Sequence, residues 1–218
     1  MKKGLTELVF ILDMSGSMAR LTEDTIGGFN AMIDKQKKQE GEALVSCVVF
    51  DNESEVLYDR VPLEKVEPMT EKQYCPRGST ALLDAVGGAV HHIGNVHKYA
   101  RAEDVPEHTI FVITTDGMEN ASHRFGVSDV RRMVARQQER YGWEFLFLGA
   151  NLDAVKAAGD IGIRSSRAAR YHADRQGTGV VYDTVSETIT EMRCRRMGAE
   201  EMPLEAVRAD YESRRKNG

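Results

Sequence analysis

The stretch Leu8-Val9-Phe10-Ile11-Leu12-Asp13-Met14-Ser15-Gly16-Ser17 joins a run of large apolar residues to a short polar loop. An uninterrupted apolar run, rather than an alternating one, is typical of a strand buried on both faces of a parallel sheet. Similar runs occur at Leu44–Phe50, Ile110–Ile113 and Phe145–Leu148. Because ligands of open parallel sheets bind beyond the carboxyl ends of the strands, the loop that begins at Asp13 is a candidate binding site.

Segments with helical periodicity separate these apolar runs. The clearest is an apolar stripe at helical spacing between Leu82 and Val96, and shorter stripes surround Phe29, Val134 and Val185. Two weaker strands are predicted. One spans Glu55–Val61 as the hairpin partner of the strand that ends at Phe50, and the other spans Ala168–His172. Strands that alternate with helices predict an α/β fold with a mostly parallel sheet.

Composition restricts the class of protein. The 218 residues carry a net charge of −5, and 41% of them are hydrophobic, which is ordinary for a globular domain. A mildly acidic chain without a basic cluster argues against nucleic acid and anionic membranes as partners. Three widely spaced cysteines form neither a disulfide framework nor a zinc motif. With no signal-peptide core or membrane-spanning run, we predict a cytoplasmic protein.

The chain divides unequally. Residues 1–197 carry the strand and helix patterns and are predicted to form one domain. Residues 198–218 are rich in charge and contain few apolar positions, so we predict a charged C-terminal tail, as a solvated helix or a frayed terminus.

Three loops offer oxygen-bearing side chains at predicted strand ends or at a helix start. Asp13, Ser15 and Ser17 follow the first strand, Thr80 precedes a helix, and Asp116 follows the strand at 110–113. Residues two apart in an extended turn point the same way, and Gly16 permits a tight turn there. Carboxylates and hydroxyls are hard donors, which favour Mg²⁺, Mn²⁺ or Ca²⁺ over zinc. The sequence therefore predicts a site for one hard divalent cation, with Mg²⁺ ranked first.

The pattern Asp13-x-Ser15-x-Ser17, then Thr80 in Gly-Ser-Thr, then Asp116 in Thr-Asp-Gly, resembles the metal-ion-dependent adhesion site of von Willebrand factor type A domains. The resemblance covers roughly residues 5 to 195. It implies a Rossmann-like, three-layer α/β/α fold whose six strands run in the order 3-2-1-4-5-6, with one antiparallel edge strand. The whole chain looks like a bacterial stand-alone type A protein.

The resemblance also implies roles for these residues. Ser15 and Ser17 would bind the metal directly, and Thr80 would do so in a ligand-bound state. Asp13 and Asp116 would mostly hold metal-bound waters, or bind the metal directly in the unliganded state. An Asp or Glu of a protein partner would complete the metal's coordination, and an ATPase or assembly factor is a partner suggested by analogy.

The residues that border this site are predicted to shape the partner surface. They are Met14, Ser79, Met118, Glu119, Asn120, Asp51 and Asn52. A plain hairpin turn is the competing interpretation for Asp51 and Asn52. His91, His92 and His97 are interpreted as surface histidines, and Cys75 as an inert thiol.

Two other functions remain open alternatives. A metal-dependent phosphohydrolase would use a strand-end aspartate, but such enzymes need a second acid two residues later, where this chain has Ser15. A structural subunit would use the metal only to hold its loops together. We therefore predict a metal-dependent protein-interaction module and no enzyme.

Overall fold

A computed structural model of the protein describes residues 1–150, 153–194 and 204–215. Within these residues the strands are β1 (Lys2–Asp13), β2 (Glu42–Phe50), β3 (Ser54–Pro62), β4 (Pro106–Thr115), β5 (Glu144–Gly149) and β6 (Ala168–Arg170). The α-helices are α1 (Thr22–Gln36), α2 (Leu82–Tyr99), α3 (Val127–Tyr141), α4 (Ala154–Asp160), α5 (Arg175–Arg193) and α6 (Glu205–Arg215).

The strands form one sheet in the order β3-β2-β1-β4-β5-β6. Neighbouring strands are parallel except β2 and β3, which form the antiparallel hairpin at the edge. The predicted fold class and strand order are confirmed. Asp13 lies beside Phe50 of β2, and Leu12 lies beside Thr114 of β4. The carboxyl ends of these three strands therefore meet at one edge of the sheet.

Helices cover both faces of the sheet, which gives three layers. Helices α1, α5 and α6 contribute Phe29, Val185 and Val207 to the core on one face. Helices α2, α3 and α4 contribute Val86, Val134 and Ala158 to the core on the other. No helix within the described ranges is long and apolar enough to cross a bilayer.

The described part of the C-terminal stretch packs against the domain. Leu204 and Val207 are almost fully buried, and the Tyr211 ring stacks on His172 with centroids 4.5 Å apart. The Arg208 guanidinium donates to the carbonyl oxygen of Ala168 at 3.0 Å. The expectation of a solvated helix is therefore wrong for the inner face of α6. Residues 198–203 and 216–218 of the predicted tail lie outside the described residues.

The amino end of β1 carries a buried ion-pair cluster. Glu7 is fully buried, and its carboxylate lies 2.9 Å from Nη2 of Arg60 and 3.3 Å from Nε2 of His97. Arg60 lies at an irregularity in the β2–β3 pairing and has a φ of +52°, as expected where a bulge re-aims a side chain. The interpretation of His97 as a surface histidine is wrong, because its side chain is 10% exposed.

Candidate metal centre

Direct backbone hydrogen bonds join the three loops at the carboxyl edge. The amide of Gly16 donates to the carbonyl of Gly78 at 3.2 Å, and the amide of Arg77 donates to the carbonyl of Met14 at 2.9 Å. The amide of Asn120 donates to the carbonyl of Thr80 at 3.0 Å. The loops therefore hold their relative positions through the chain's own contacts.

The predicted aspartate and serine side chains meet in one place. The Ser15 amide donates to Asp13 Oδ1 at 2.7 Å, as the turn after β1 requires. The hydroxyl oxygens of Ser15 and Ser17 are 3.2 Å apart, and the Ser17 hydroxyl donates to Asp116 Oδ1. Spacing two residues apart thus brings these side chains together, as the sequence predicts.

Thr80 joins this group beside Gly117. A Cβ atom built on Gly117 would lie 2.9 Å from Thr80 Oγ1 and 3.8 Å from Ser17 Oγ. A glycine is needed there because a side chain would displace the Thr80 hydroxyl. All five predicted site residues therefore converge, although the loops that carry them are far apart in the sequence.

The two carboxylates of the site are buried, and no cationic side chain among the described residues pairs with them. Asp13 and Asp116 are 0% and 2% exposed, and neither forms an ion pair with a described residue. Burial raises the pKa of Asp13, and hydrogen bonds from Ser15 and Thr115 offset only part of this effect. Asp116 Oδ2 is buried and has no hydrogen-bond partner within the described residues. An unpartnered carboxylate oxygen is costly to bury, so the site fits a cation.

The donor set also indicates which kind of cation fits. No group of three or more His, Cys, Asp or Glu in the described part of the chain could hold a metal ion. The hydroxyls of Ser15, Ser17 and Thr80 would therefore have to contribute. Hydroxyl and carboxylate oxygens together suit Mg²⁺, Mn²⁺ or Ca²⁺.

Two tyrosines that the sequence did not single out lie next to this site. The Tyr74 hydroxyl donates to the carbonyl oxygen of Asp13 and fixes the end of β1. Tyr171 is 4% exposed, and its pKa is raised by burial and by the nearby carboxylates of Asp116 and Asp13. Tyr74 lies within a polar stretch and Tyr171 follows the short β6, so neither had a local signal.

The Asp51–Asn52 turn supports the loop that carries Thr80. Asp51 Oδ2 accepts from Arg77 Nε at 2.8 Å, and Asn52 Oδ1 accepts from the Ser79 amide at 2.6 Å. Asp51 is buried whereas Asn52 is exposed. The turn is thus a hairpin turn that also positions the loop before α2. Contact of these residues with a partner stays a prediction.

The other border residues differ in exposure. The side chain of Met118 is 73% exposed, whereas that of Met14 is only 3% exposed. Met14 packs in the core, so the prediction that its side chain contacts a partner is wrong. Glu119 accepts hydrogen bonds from the amides of Leu83 and Ser122. Asn120 Oδ1 accepts from the Thr80 amide at 2.9 Å. These last two side chains are therefore already engaged in positioning the site.

Sequence comparisons leave the chain without a match, since neither a protein-family model nor a curated protein matches it. Solved structures do resemble it. Proximal thread matrix protein 1 from the mussel byssus is 15% identical, with a TM-score of 0.59. Zinc occupies its MIDAS motif, the metal-ion-dependent adhesion site, in that structure. The match covers 86% of this chain and 46% of that chain.

Two prokaryotic structures are similar as well. A von Willebrand factor type A protein from Catenulispora acidiphila is 14% identical, with a TM-score of 0.56 over 87% of this chain and 43% of that chain. The ArnB paralog VWA2 from Sulfolobus acidocaldarius is 17% identical, with a TM-score of 0.51 over 85% of this chain and 45% of that chain. The chain thus spans a little under half the length of these solved chains. The strand order, the sheet layer between two layers of helices and these likenesses show that the chain has the von Willebrand factor type A fold.

Proposed function

We propose that the protein is a divalent-metal-dependent interaction module, in which a metal ion held at the carboxyl edge binds an acidic side chain of a partner protein. One observation carries this proposal. Asp116 Oδ2 is buried without a hydrogen-bond partner in the described part of the chain, beside four other oxygen-bearing side chains. A hard cation would compensate that carboxylate, and we rank Mg²⁺ before Mn²⁺ and Ca²⁺.

The chain's own residues divide the work at such a site. Asp13 and Asp116 supply negative charge, and the three hydroxyl side chains supply neutral oxygens. Two carboxylates carry no more negative charge than a divalent ion carries positive charge. A bound ion would therefore still act as a Lewis acid toward a further carboxylate. Ser17 is exposed whereas Asp13 and Asp116 are buried. A partner would therefore approach over Ser17, and the exposed Met118 lies on that side of the sheet.

The mussel protein offers support for a divalent ion in this type of motif, because zinc occupies the MIDAS motif of that protein. Zinc therefore belongs among the ions to be tested here. Oxygen donors without His or Cys favour harder ions, so we expect Mg²⁺ or Mn²⁺ to stabilise this chain at lower concentrations than Zn²⁺ does.

The structural-subunit alternative is less well supported. Amide–carbonyl hydrogen bonds already join the loops of Gly16, Gly78, Thr80 and Asn120, so a metal ion is not needed to hold them together. We infer that the metal acts on a partner rather than on the fold.

The phosphohydrolase alternative has weaker support still. Both Asp13 oxygens accept hydrogen bonds, from the Ser15 amide at 2.7 Å and the Thr115 hydroxyl at 2.5 Å, and the residue is fully buried. A nucleophile must reach the phosphorus atom of its substrate, which this placement disfavours. We therefore propose a non-enzymatic protein whose partner is a protein, an ATPase or assembly factor by analogy, rather than a nucleic acid or a membrane. A cytoplasmic location remains part of this proposal.

The test is thermal unfolding of the wild type, Asp13→Ala and the control Asp59→Ala, in EDTA and with Mg²⁺, Mn²⁺, Ca²⁺ or Zn²⁺. A ligand that binds only the native state raises the melting temperature. We expect the wild type and Asp59→Ala to gain stability with a divalent ion and Asp13→Ala to gain none, while its fold survives in EDTA. A wild type that responds to no ion would contradict the metal site.

Partner binding needs a second measurement on the same proteins. Once a partner is identified, its affinity should fall by more than tenfold in EDTA and in Thr80→Ala, and the Asp or Glu that it presents should be essential. Equal affinity with and without metal would contradict the interaction module but leave the metal site standing.

A further inference from the structure

A second candidate site lies at the opposite edge of the sheet from Asp13. A cavity of about 810 Å³ opens between the C-terminal halves of α2 and α3, beside Pro106 at the start of β4. Ligand-binding cavities of proteins typically enclose about 300–1,000 Å³, so the cavity has the size of a small-molecule site. It shares no residue with the candidate metal centre.

The floor of this cavity is apolar and held in place. Trp143 is 4% exposed, and its ring stacks on Phe111 with centroids 5.2 Å apart. His97, which also lines the cavity, meets the edge of Trp143 at 5.3 Å and bonds the buried Glu7 behind it. A floor whose side chains are already ordered loses little conformational entropy when a ligand binds.

The rim of the cavity is cationic. Lys98, Arg136 and Arg140 line it, and no Asp or Glu does so within the described residues. None of these three cations forms an ion pair in the part of the chain that the structure describes. Glu139 lies on α3 between the two arginines and lines, with both of them, a second depression on the outer side of the helix, but it does not line the cavity itself. In a chain of net charge −5, this is a local concentration of positive charge that lines the cavity without an acidic residue among the described ones.

Aromatic surface adjoins the same rim. Tyr141 lines the cavity and is 56% exposed, and Tyr99, next to Lys98, is 78% exposed. Exposed aromatic rings beside a cavity provide contact area for an apolar or aromatic ligand at a low entropy cost. An amphipathic anion fits this combination. Its apolar body would contact the apolar floor and the aromatic edge, and its anionic group would contact the cationic rim.

We propose that this cavity binds a small organic anion, in which a carboxylate, sulfonate or phosphate group is attached to an apolar or aromatic body. The anionic group pairs with Arg136, Arg140 and Lys98, and the body lies against Trp143. This binding is independent of the metal ion at the other edge.

The test uses the fluorescent anion 8-anilinonaphthalene-1-sulfonate and its uncharged relative N-phenyl-1-naphthylamine. Trp143 is the chain's one tryptophan, so a probe in the cavity quenches a single known emitter. We expect saturable quenching by the anion, and about tenfold weaker binding of the uncharged probe and of the anion to the double variant Arg136→Ala/Arg140→Ala. Tenfold corresponds to about 1.4 kcal/mol.

Arg132→Ala is the matched control, because Arg132 lies on the same helix but lines only the outer depression. It should bind the anion like the wild type, and so should Asp13→Ala in EDTA, which separates this site from the metal centre. If the double variant does not fold, Arg140→Gln alone should weaken binding by about threefold, since one of three cations is lost. Equal binding of both probes, an equal loss in Arg132→Ala, or no quenching of Trp143 would overturn the proposal.

Discussion

Strand β1 carries two fully buried carboxylates, Glu7 in its amino-terminal half and Asp13 at its carboxyl end, and the two have opposite environments. Glu7 lies against the guanidinium of Arg60 at 2.9 Å and the ring of His97 at 3.3 Å. Asp13, at the carboxyl end, accepts from the Ser15 amide and the Thr115 hydroxyl, neither of which is a cation, and the carboxylate of Asp116 adds to the rise in its pKa. One end is neutralised by the chain, and the other is not.

This difference indicates where an outside cation belongs. A buried charge is tolerated when it is paired and strongly disfavoured when it is alone. The Glu7 carboxylate needs no further partner, whereas neither Asp13 nor Asp116 has a cationic partner among the described residues. Our central claim is that a divalent ion supplies this charge and leaves it accessible to a partner.

Removing the cationic partner of Glu7 should have the largest effect on the free energy of unfolding. Arg60→Met keeps the aliphatic stem but leaves Glu7 buried with only His97 beside it. Loss of one partner of a buried pair costs about 3 kcal/mol or more, so we expect the free energy of unfolding to fall by about 3 kcal/mol in urea titrations. The exposed pair Arg101–Asp104 provides the control, because Arg101→Met should leave the free energy of unfolding almost unchanged. A comparable loss in both variants would contradict the contrast.

The carboxyl end, where Asp13 and Asp116 lie, should instead be stabilised by a divalent metal ion. At 100 times its Kd, a divalent ion should raise the free energy of unfolding of the wild type by about 2.7 kcal/mol. Asp116→Asn should lose this increment yet match the wild type in EDTA within about 0.5 kcal/mol, because the unpartnered oxygen has no bond to lose. Urea titrations with and without Mg²⁺ measure both quantities. A marked loss of stability in EDTA would show that Asp116 acts mainly in the fold.

Support around the metal site should matter less than the site itself. Asn120→Ala removes the side chain that accepts from the Thr80 amide. Loss of a residue that orients a metal ligand typically weakens metal affinity by about tenfold or more, and titration calorimetry with Mn²⁺ would detect this. Asn95→Ala, at the opposite edge, should leave the affinity unchanged. An unchanged affinity in Asn120→Ala would mean that Thr80 needs no such support.

A half-exposed carboxylate should give the smallest effect. Burial raises the pKa of Asp174, but hydrogen bonds from Arg214 and the Gly177 amide outweigh it and hold the pKa below its usual range. A lowered folded-state pKa stabilises the fold above the unfolded pKa of about 3.9, and the benefit disappears as the pH falls through the folded value. We expect Arg214→Met to cost about 0.5 kcal/mol at pH 7, and less below about pH 4. A difference that grows on acidification would have the wrong sign.

The contrast between the two edges was only partly readable in the sequence. Long apolar runs are local signals that predicted four strands, and helical stripes predicted four of the helices. The other two strands, β3 and β6, were predicted from weaker patterns. The seven residues of α4 are too few to produce a stripe. The burial of Leu204 and Val207 among charged neighbours depends on their packing against the core beside α5, which no local pattern reveals.

The candidate metal centre, too, was predicted where local spacing decided the structure and missed where contacts between distant segments decided it. The spacing of Asp13, Ser15 and Ser17, together with the resemblance, brought the five oxygen side chains to one place. The inward direction of Met14 and the partnership of Asp51 with Arg77 depend on contacts between loops, so sequence spacing could not predict them. The Glu7–Arg60–His97 cluster was missed for the same reason, since its members are 53 and 90 residues away from Glu7.

The most direct test of the central claim is to count Mn²⁺ ions by electron paramagnetic resonance in the wild type, Asp116→Asn and Arg60→Met. Bound Mn²⁺ loses the sharp signal of the free ion, so the stoichiometry is read directly. We expect one site in the wild type, none in Asp116→Asn, and one in folded Arg60→Met, because the two edges are independent. Equal Mn²⁺ binding by the wild type and Asp116→Asn would contradict the central claim.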